Sequence, residues 1–167
     1  MKKSILLIPK FKNIEFIESI RKKYDPLYNK VPPHITLVFP FETNIENNII
    51  IKHIESSLKH FQIVHFSLDG FSYFKNGYVF WNVIEGRDAL VKMNKQLYSG
   101  ILAPFKRTTI QYNPHITIAN CSASTQLHQI KNDLENTSIY EICTDFSIIF
   151  EEIQSNGDSK VIKSFKL

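Results

Sequence analysis

The sequence predicts an α+β fold in which one order of elements, strand–helix–strand–helix–strand, occurs twice along the chain. Segments with a helical period alternate with short apolar segments that are typical of strands. The hexapeptide at 33–38, PHITLV, returns at 114–119 as PHITIA. Matching elements lie about eighty positions apart, which is too long for a solenoid repeat and typical of a duplicated lobe.

The first half of the chain is predicted to hold three strands and two helices. In order these are a strand at 4–9, a helix at 13–24, a strand at 34–39, a helix carrying Ile50, Ile54 and Leu58, and a strand at 64–75. Asn13 is the predicted N-cap of the first helix, and Thr43 with Glu46 forms a capping-box signature before the second. Asn76 and Gly77 then predict a tight hairpin turn.

The second half repeats this order. It is predicted to hold a strand at 78–84, a helix over Leu90, Met93 and Leu97, a loop at 102–113, the second hexapeptide strand, a helix over Leu127, Ile130 and Leu134, a strand near 142–150 and a final strand at 160–167. No low-complexity tract divides the chain. We therefore expect one domain of two pseudo-symmetric lobes, roughly 1–76 and 77–167, with a cleft between them.

Composition limits the classes of protein to consider. Hydrophobic residues make up 43% of the chain and charged residues 22%, which is usual for a folded globular protein. No apolar run approaches the length of a membrane span, and the apolar segment near the N-terminus stops at Pro9, so no signal peptide or membrane partner is expected. Cys121 and Cys143 have no metal-binding or redox spacing, which favours reduced thiols and a cytoplasmic location.

The net charge of +4 is concentrated in the first half of the chain. The first thirty residues carry three acidic side chains and eight basic ones, which are Lys2, Lys3, Lys10, Lys12, Arg21, Lys22, Lys23 and Lys30. Such a region can attract a phosphate backbone. From charge alone, a solvated lysine-rich surface is the favoured interpretation.

The doubled hexapeptide is the strongest signal in the sequence. Alternate residues of a strand point to the same face, so His34 shares a face with Thr36, and His115 shares one with Thr117. Composition alone predicts about 0.3 H-x-T triplets. Two occur, each after a proline and each at the same point of the duplicated order, so chance is a poor explanation.

These residue types suit the cleavage of a phosphodiester. Histidine gains or loses a proton near neutrality, so one neutral ring can take a proton from the attacking water or hydroxyl while a second, protonated ring gives one to the leaving oxygen. The two threonine hydroxyls can donate hydrogen bonds to non-bridging phosphate oxygens and stabilise charge in the transition state. This chemistry needs no metal, no cofactor and no nucleophilic side chain.

Other sites are disfavoured by the sequence. The remaining histidines, His53, His60, His65 and His128, are interpreted as ordinary structural or surface residues. No H-E-x-x-H is present, so a zinc site is not expected. G-x-S-x-G, G-x-x-x-x-G-K-[ST] and G-x-G-x-x-G are also absent, which argues against a serine hydrolase, a P-loop protein and a dinucleotide fold.

Paired H-x-T motifs followed by apolar residues, in a small duplicated α+β chain, resemble the 2H phosphoesterase superfamily, and more narrowly its bacterial 2′-5′ RNA ligase-like members. The resemblance implies a bilobal fold with two mainly antiparallel sheets around a central cleft and helices on the outside. It also implies that His34 and His115 are catalytic, that Thr36 and Thr117 bind phosphate, and that the substrate is a 2′,5′-linked or 2′,3′-cyclic phosphate of RNA or a nucleotide.

The chain departs from the family in one respect. Ligase-type members often carry an arginine shortly after the second motif, where this chain has Asn120. Candidate basic contacts to the substrate are therefore Lys10, Lys106 and Arg107. Candidate aromatic platforms for a base are Tyr73, Trp81 and Tyr112; of these, Trp81 is expected in the core and Tyr112 is preferred.

Three hypotheses follow for the function. The leading one is a metal-independent phosphodiesterase acting on RNA or a nucleotide. The second is a 2′-5′ RNA ligase, which the departure at Asn120 makes less favoured than hydrolysis. The third is a non-catalytic RNA- or nucleotide-binding module on the same fold, and no obligate protein partner is expected for any of the three.

Overall fold

A computed structural model of the chain describes residues 2–12, 14–61, 65–121, 124–135 and 137–167. The strands are β1 (Lys2–Pro9), β2 (Ile35–Glu42), β3 (Phe66–Tyr73), β4 (Tyr78–Val83), β5 (His115–Asn120), β6 (Glu141–Cys143), β7 (Phe146–Ile153) and β8 (Ser159–Phe165). The helices are α1 (Glu15–Tyr24), α2 (Asn47–Leu58), α3 (Arg87–Leu97), α4 (Ser124–Leu134) and a 3₁₀ helix at Gly100–Phe105. The predicted cap Asn13 and the predicted strand start at residue 64 lie outside the described residues.

The strands form an antiparallel sheet in the order β6-β3-β4-β5-β2-β1-β7-β8. At its centre β2 and β5 pair at one position, Ile35 opposite Ile116, whereas β1 and β7 pair along their whole length. The sheet therefore consists of two four-stranded halves. They are joined where β2 pairs with β5, and the two strands separate away from that position. The α+β fold with antiparallel halves around a cleft is confirmed, although that pair joins the two halves into one continuous sheet.

The two halves of the sheet differ from the predicted lobes at 1–76 and 77–167. One half contains β1, β2, β7 and β8, and the other contains β3, β4, β5 and β6. The last strand of each repeat crosses over, because β3 pairs with β4 of the second repeat and β7 pairs with β1 of the first. The helices cross as well, since α1 packs against β5 and α3 against β2. The duplication is therefore visible in the order of elements and interlaced in space.

The apolar faces of helices and sheet share one core. Ile17 and Ile20 of α1 and Ile50 and Ile54 of α2 are buried, as their helical spacing predicts. Trp81 is fully buried, which confirms its expected place in the core. His53 donates from Nε2 to the carbonyl of Leu97 at 2.9 Å, a contact that joins α2 to α3.

Three local predictions were less accurate. The strand predicted near 142–150 is two strands, since β6 pairs with β3 and β7 with β1, in opposite halves of the sheet. The loop predicted at 102–113 begins inside the 3₁₀ helix. The capping box was wrong, because Glu46 caps α2 without a side-chain hydrogen bond and the hydroxyl of Thr43 accepts from the nitrogen of Ile45 at 3.1 Å.

Cys121 and Cys143 are both buried free thiols, in agreement with the expectation from their spacing. Burial raises the pKa of Cys143 to about 12 and raises the pKa of Cys121 as well, so both sulfurs stay protonated at neutral pH. Among the described residues, no helix has both the length and the apolar character needed to cross a membrane.

Candidate active site

The pairing of β2 with β5 at the centre of the sheet determines where the motif side chains lie. Ile35 lies opposite Ile116 in an antiparallel pair, and in each strand the motif histidine comes directly before the paired isoleucine and the threonine directly after it. The isoleucines are completely buried on one face of the sheet. The two histidines and two threonines, which alternate with these isoleucines, therefore share the other face.

All four motif side chains line one cleft of about 790 Å³, which we call the motif cleft. One wall comes from β1, β7 and β8 and includes Ser4, Leu6, Glu151, Ile153 and Ser159. The opposite wall carries Phe74, Tyr78 and Phe80, and the loop before β5 closes one end with Arg107, Ile110, Gln111 and Asn113. The separation of β2 from β5 creates the concave space between these walls.

The two imidazoles are held in the same way. Nδ1 of His34 lies 2.9 Å from the carbonyl oxygen of Pro32, and Nδ1 of His115 lies 2.7 Å from that of Asn113. A carbonyl oxygen only accepts, so Nδ1 carries the hydrogen in both rings. Nε2 is therefore the atom of each neutral ring that can take up a proton.

His115 is held in the neutral form by its surroundings. Its ring stacks on Phe80 with the centroids 3.5 Å apart and an angle of 16° between the planes. Burial lowers the pKa of His115 to about 4; the hydrogen bond to the Asn113 carbonyl opposes this, and the charge of His34 adds to it. At neutral pH this ring is a proton acceptor.

His34 lies near the carboxylates of Glu151 and Asp25. Burial lowers the pKa of His34 below its ordinary value and Arg21 adds to this, whereas its hydrogen bond to Pro32 and the nearby carboxylate of Glu151 oppose it in part. Glu151 is buried in the cleft wall, where it accepts hydrogen bonds from the hydroxyls of Ser4 (2.5 Å) and Ser159. The carboxylate of Asp25 also lines the cleft and opposes the lowering of the His34 pKa, so His34 has carboxylates among its neighbours, whereas His115 has the Phe80 ring.

A buried arginine anchors the loop that carries His34. Arg21, with only 1% of its surface exposed, donates to Asp25 at 2.9 Å, to Glu18 at 2.8 Å and to the carbonyl of Val31 at 2.8 Å. The sequence placed Arg21 in a basic surface region, which was wrong, because its charge is satisfied inside the fold. Its contact at Val31 fixes the chain just before the carbonyl that holds His34.

The residues predicted to contact the substrate beside the motif residues divide into those that line the cleft and those that do not. Arg107 lines the motif cleft, with its guanidinium carbon 4.8 Å from the centre of the Phe39 ring. Lys10 instead forms an exposed salt bridge with Asp145 at 2.8 Å and does not line the cleft. Tyr112 also lies outside the cleft lining, because its hydroxyl donates to the carbonyl of Thr36 at 3.0 Å. Asn120, at the position of the expected arginine, does line the cleft.

Sequence reasoning missed the aromatic wall of the cleft. Tyr78 and Phe80 share one face of β4, and Phe74 packs on Phe80 with the ring centroids 4.7 Å apart. Phe74 is 40% exposed, so part of its ring is open to the cleft. The alternation of Tyr78 and Phe80 with the buried Val79 and Trp81 was a signal that the first pair faces away from the core.

Comparison with known sequences gives a consistent result. A sequence model of the 2′-5′ RNA ligase superfamily matches residues 9–148, which include both hexapeptides. A protein of Bacillus licheniformis, provisionally named a phosphoesterase, is 28% identical over 173 residues, covering 100% of this chain and 99% of its own. A similarly named protein of a Geobacillus species is 27% identical, covering 99% of this chain and 95% of its own.

Solved structures support the fold. E. coli LigT in its apo form aligns with a TM-score of 0.55 and 16% identity, covering 98% of this chain and 96% of LigT. A crystal structure described as a phosphoesterase aligns with a TM-score of 0.55 and 14% identity, covering 98% of this chain and 97% of that one. At these identities the likeness concerns the fold, and it agrees with the family match. The chain belongs to the 2′-5′ RNA ligase superfamily, within the 2H phosphoesterases.

Proposed function

We propose that this protein is a metal-independent phosphodiesterase that hydrolyses a 2′,3′-cyclic or 2′,5′-linked phosphate of RNA or a nucleotide. The observation that carries the proposal is the placement of His34, Thr36, His115 and Thr117 on one face of the sheet, inside one cleft. Each imidazole is oriented by a backbone carbonyl, so both can present Nε2 to a shared phosphate. The buried free thiols fit a cytoplasmic location, which we propose as well.

In the proposed reaction His115 is the base and His34 is the acid. Nε2 of His115 removes a proton from water as the water oxygen attacks phosphorus. The bond from phosphorus to the ribose oxygen breaks, and Nε2 of protonated His34 supplies the proton that this oxygen needs. We assign the roles in this order because the Phe80 ring covers one face of the His115 imidazole, whereas the carboxylates of Glu151 and Asp25 lie near His34 and oppose in part the lowering of its pKa by burial.

The threonines and the aromatic wall have separate roles in this proposal. The hydroxyls of Thr36 and Thr117, on opposite strands, would donate to the two non-bridging oxygens and stabilise the charge that develops on them. Phe74 and Tyr78 offer a surface on which a base can stack, an interaction of about 1–3 kcal/mol per base. They replace Tyr112 as the proposed platform, because the hydroxyl of Tyr112 is turned toward β2.

The nucleotide part of the proposal is supported by a structural neighbour. E. coli LigT has been crystallised with 3′-AMP, with ATP and with NADP+. The reverse reaction, the joining of RNA ends through a 2′-5′ bond, is the second candidate, and the name of the matching superfamily favours it. A joining assay with cleaved RNA halves separates the two directions.

The proposal is tested with a panel of 2′,3′-cyclic nucleotides and 2′,5′-linked dinucleotides, followed by phosphorus NMR. We expect turnover that EDTA does not reduce and a product that shows which ester bond breaks. His34→Ala and His115→Ala should each lower kcat by a factor of about 10² to 10⁴. The exposed His60, outside the cleft, provides the matched control His60→Ala, which should keep full activity.

Retained turnover in both His34→Ala and His115→Ala would reject the mechanism. If the unsubstituted protein binds a nucleotide with a steep salt dependence and forms no product with any substrate, the binding-module hypothesis replaces the enzymatic one.

A further inference from the structure

A second cavity, of about 490 Å³, lies directly beside the motif cleft. The two share Phe39, Arg107, Ile110 and Gln111 among the residues that line them. A bound molecule can therefore extend from the motif histidines past Arg107 without leaving the protein surface. We call this second cavity the basic groove, after the side chains described next.

The basic groove carries more positive charge than the cleft. Arg87, Lys95, Lys106 and Arg107 line it, with Asp88 as the acidic member. Within the described ranges of the chain, none of the four cationic side chains forms a salt bridge. In the motif cleft Arg107 is instead accompanied by the carboxylates of Asp25 and Glu151. The groove is thus the part of this surface best suited to an anion.

The wall of the groove is fixed by hydrogen bonds to β2. In the part of the chain that the structure describes, β2 pairs with β5 at Ile35, and beyond this position side chains bond the backbone of β2. Asn94 donates to the carbonyl of Leu37 at 2.8 Å, the hydroxyl of Tyr98 accepts from the nitrogen of Phe39 at 2.9 Å, and Tyr112 donates to the carbonyl of Thr36. These polar groups are already satisfied, and Nε of Arg87 donates to the side-chain oxygen of Asn113 at 3.2 Å, so Lys95, Lys106 and Arg107 are the cationic side chains best placed to contact a ligand.

We propose that the basic groove binds a second phosphate group of the substrate. The inference rests on the proposed function, in which the first phosphate lies between the two histidines. Arg107, shared by both cavities, would lie between the two phosphates, and Lys95 and Lys106 would bind the second one. The substrate class is then a nucleotide with a second phosphate, either a 5′-phosphate or the phosphodiester of a neighbouring RNA nucleotide.

The kinetic test compares three substrates that end in a 2′,3′-cyclic phosphate: a mononucleotide, the same mononucleotide with a 5′-phosphate, and a trinucleotide. The Lys95→Ala/Lys106→Ala double variant should raise KM for substrates with a second phosphate about tenfold relative to KM for the plain mononucleotide. The control Lys92→Ala/Lys166→Ala removes the same charge from exposed positions outside both cavities and should leave these ratios unchanged.

The pattern among substrates identifies the second phosphate. If KM of the double variant rises for the 5′-phosphorylated mononucleotide, the groove binds the 5′-phosphate of the nucleotide that carries the cyclic phosphate. If KM rises for the trinucleotide alone, the groove binds a phosphate farther along the RNA chain. Equal changes of KM for all three substrates, or none, would overturn the proposal.

A binding measurement keeps this inference separate from the catalytic one. Fluorescence anisotropy of a labelled RNA hexanucleotide on the His115→Ala protein needs no turnover. Loss of Lys95 and Lys106 should weaken binding and reduce the slope of log K against log salt by about 0.7 per lost phosphate contact. If no substrate is turned over and this difference in binding is still found, the proposed hydrolysis is rejected and the proposed phosphate site in the groove is retained. Equal binding by the Lys95→Ala/Lys106→Ala and Lys92→Ala/Lys166→Ala variants would overturn the proposed phosphate site.

Discussion

Replacing Phe80 with alanine should raise the pKa of His115 and move the acid limb of the pH–rate profile to higher pH. In the structure the Phe80 ring covers one face of the imidazole at a centroid distance of 3.5 Å. Removing it lets water reach that face, and water stabilises the charged imidazolium. The base then becomes protonated, and inactive, at a higher pH than before.

The size of this shift has a clear upper limit. Burial holds the pKa of His115 at about 4, and the ordinary value is 6.5. Phe80 covers only one face of the ring, and the hydrogen bond from Nδ1 to Asn113 remains. We therefore expect Phe80→Ala to recover about 1 pH unit of this difference, and Phe80→Leu, which keeps an apolar cover, to recover less. The sign is fixed, because a neutral base loses activity as the pH falls through its pKa.

The assay is kcat/KM of the unsubstituted protein and both variants across the acid range, since this ratio reports the pKa values of the free enzyme. Titration of the His115 ring by proton NMR gives the same pKa without turnover. The exposed Phe16 of α1 supplies the control Phe16→Ala, which should leave the acid limb in place. An acid limb that stays fixed or moves to lower pH in Phe80→Ala would refute the reasoning.

Two further predictions concern stability. Arg21→Ala should lower the free energy of unfolding by about 3–5 kcal/mol, because it leaves the buried carboxylate of Asp25 without its partner. The control Lys22→Ala, at the exposed neighbouring position, should change the free energy of unfolding by less than about 0.5 kcal/mol. Both variants are measured by urea unfolding, and equal small effects would contradict a buried ion pair. Gly77→Ala should destabilise the protein more than Gly157→Ala, although both glycines have positive φ. A Cβ at position 77 would clash with the backbone carbonyl oxygen of Cys121, whereas a Cβ at position 157 would meet no atom within 4 Å. Gly157→Ala should cost about 1–2 kcal/mol from backbone strain alone, so equal decreases of Tm would rule out the clash.

Local rules were enough to predict the faces of the strands. The period of two in a strand places His34 with Thr36 and His115 with Thr117, and in the structure all four side chains line the same cleft. The turn at Asn76 and Gly77 was predicted for a similar reason, since the chain there needs the positive φ that glycine allows. These features depend on a few neighbouring residues, which the sequence displays directly.

Long-range pairing was not predictable in the same way. Nothing near β7 indicates that it will pair with β1 at the other end of the chain, so the lobes were expected to follow chain order. Arg21 was grouped with surface lysines because its charge is visible in the sequence, whereas its hydrogen-bond partners inside the fold are not. Phe80 was missed because its stacking on His115 depends on the pairing of β4 with β5.

The interlacing of the two repeats also has a consequence for synthesis of the chain. β1 is synthesised long before one of its two neighbours, β7, because Lys2 pairs with Ile153. A nascent chain therefore has to wait for the synthesis of β7 before β1 is covered on both sides. We expect this sheet to form only after β7 has been made, and slowly for its size, because a long loop must close before β1 and β7 can make their stabilising contacts.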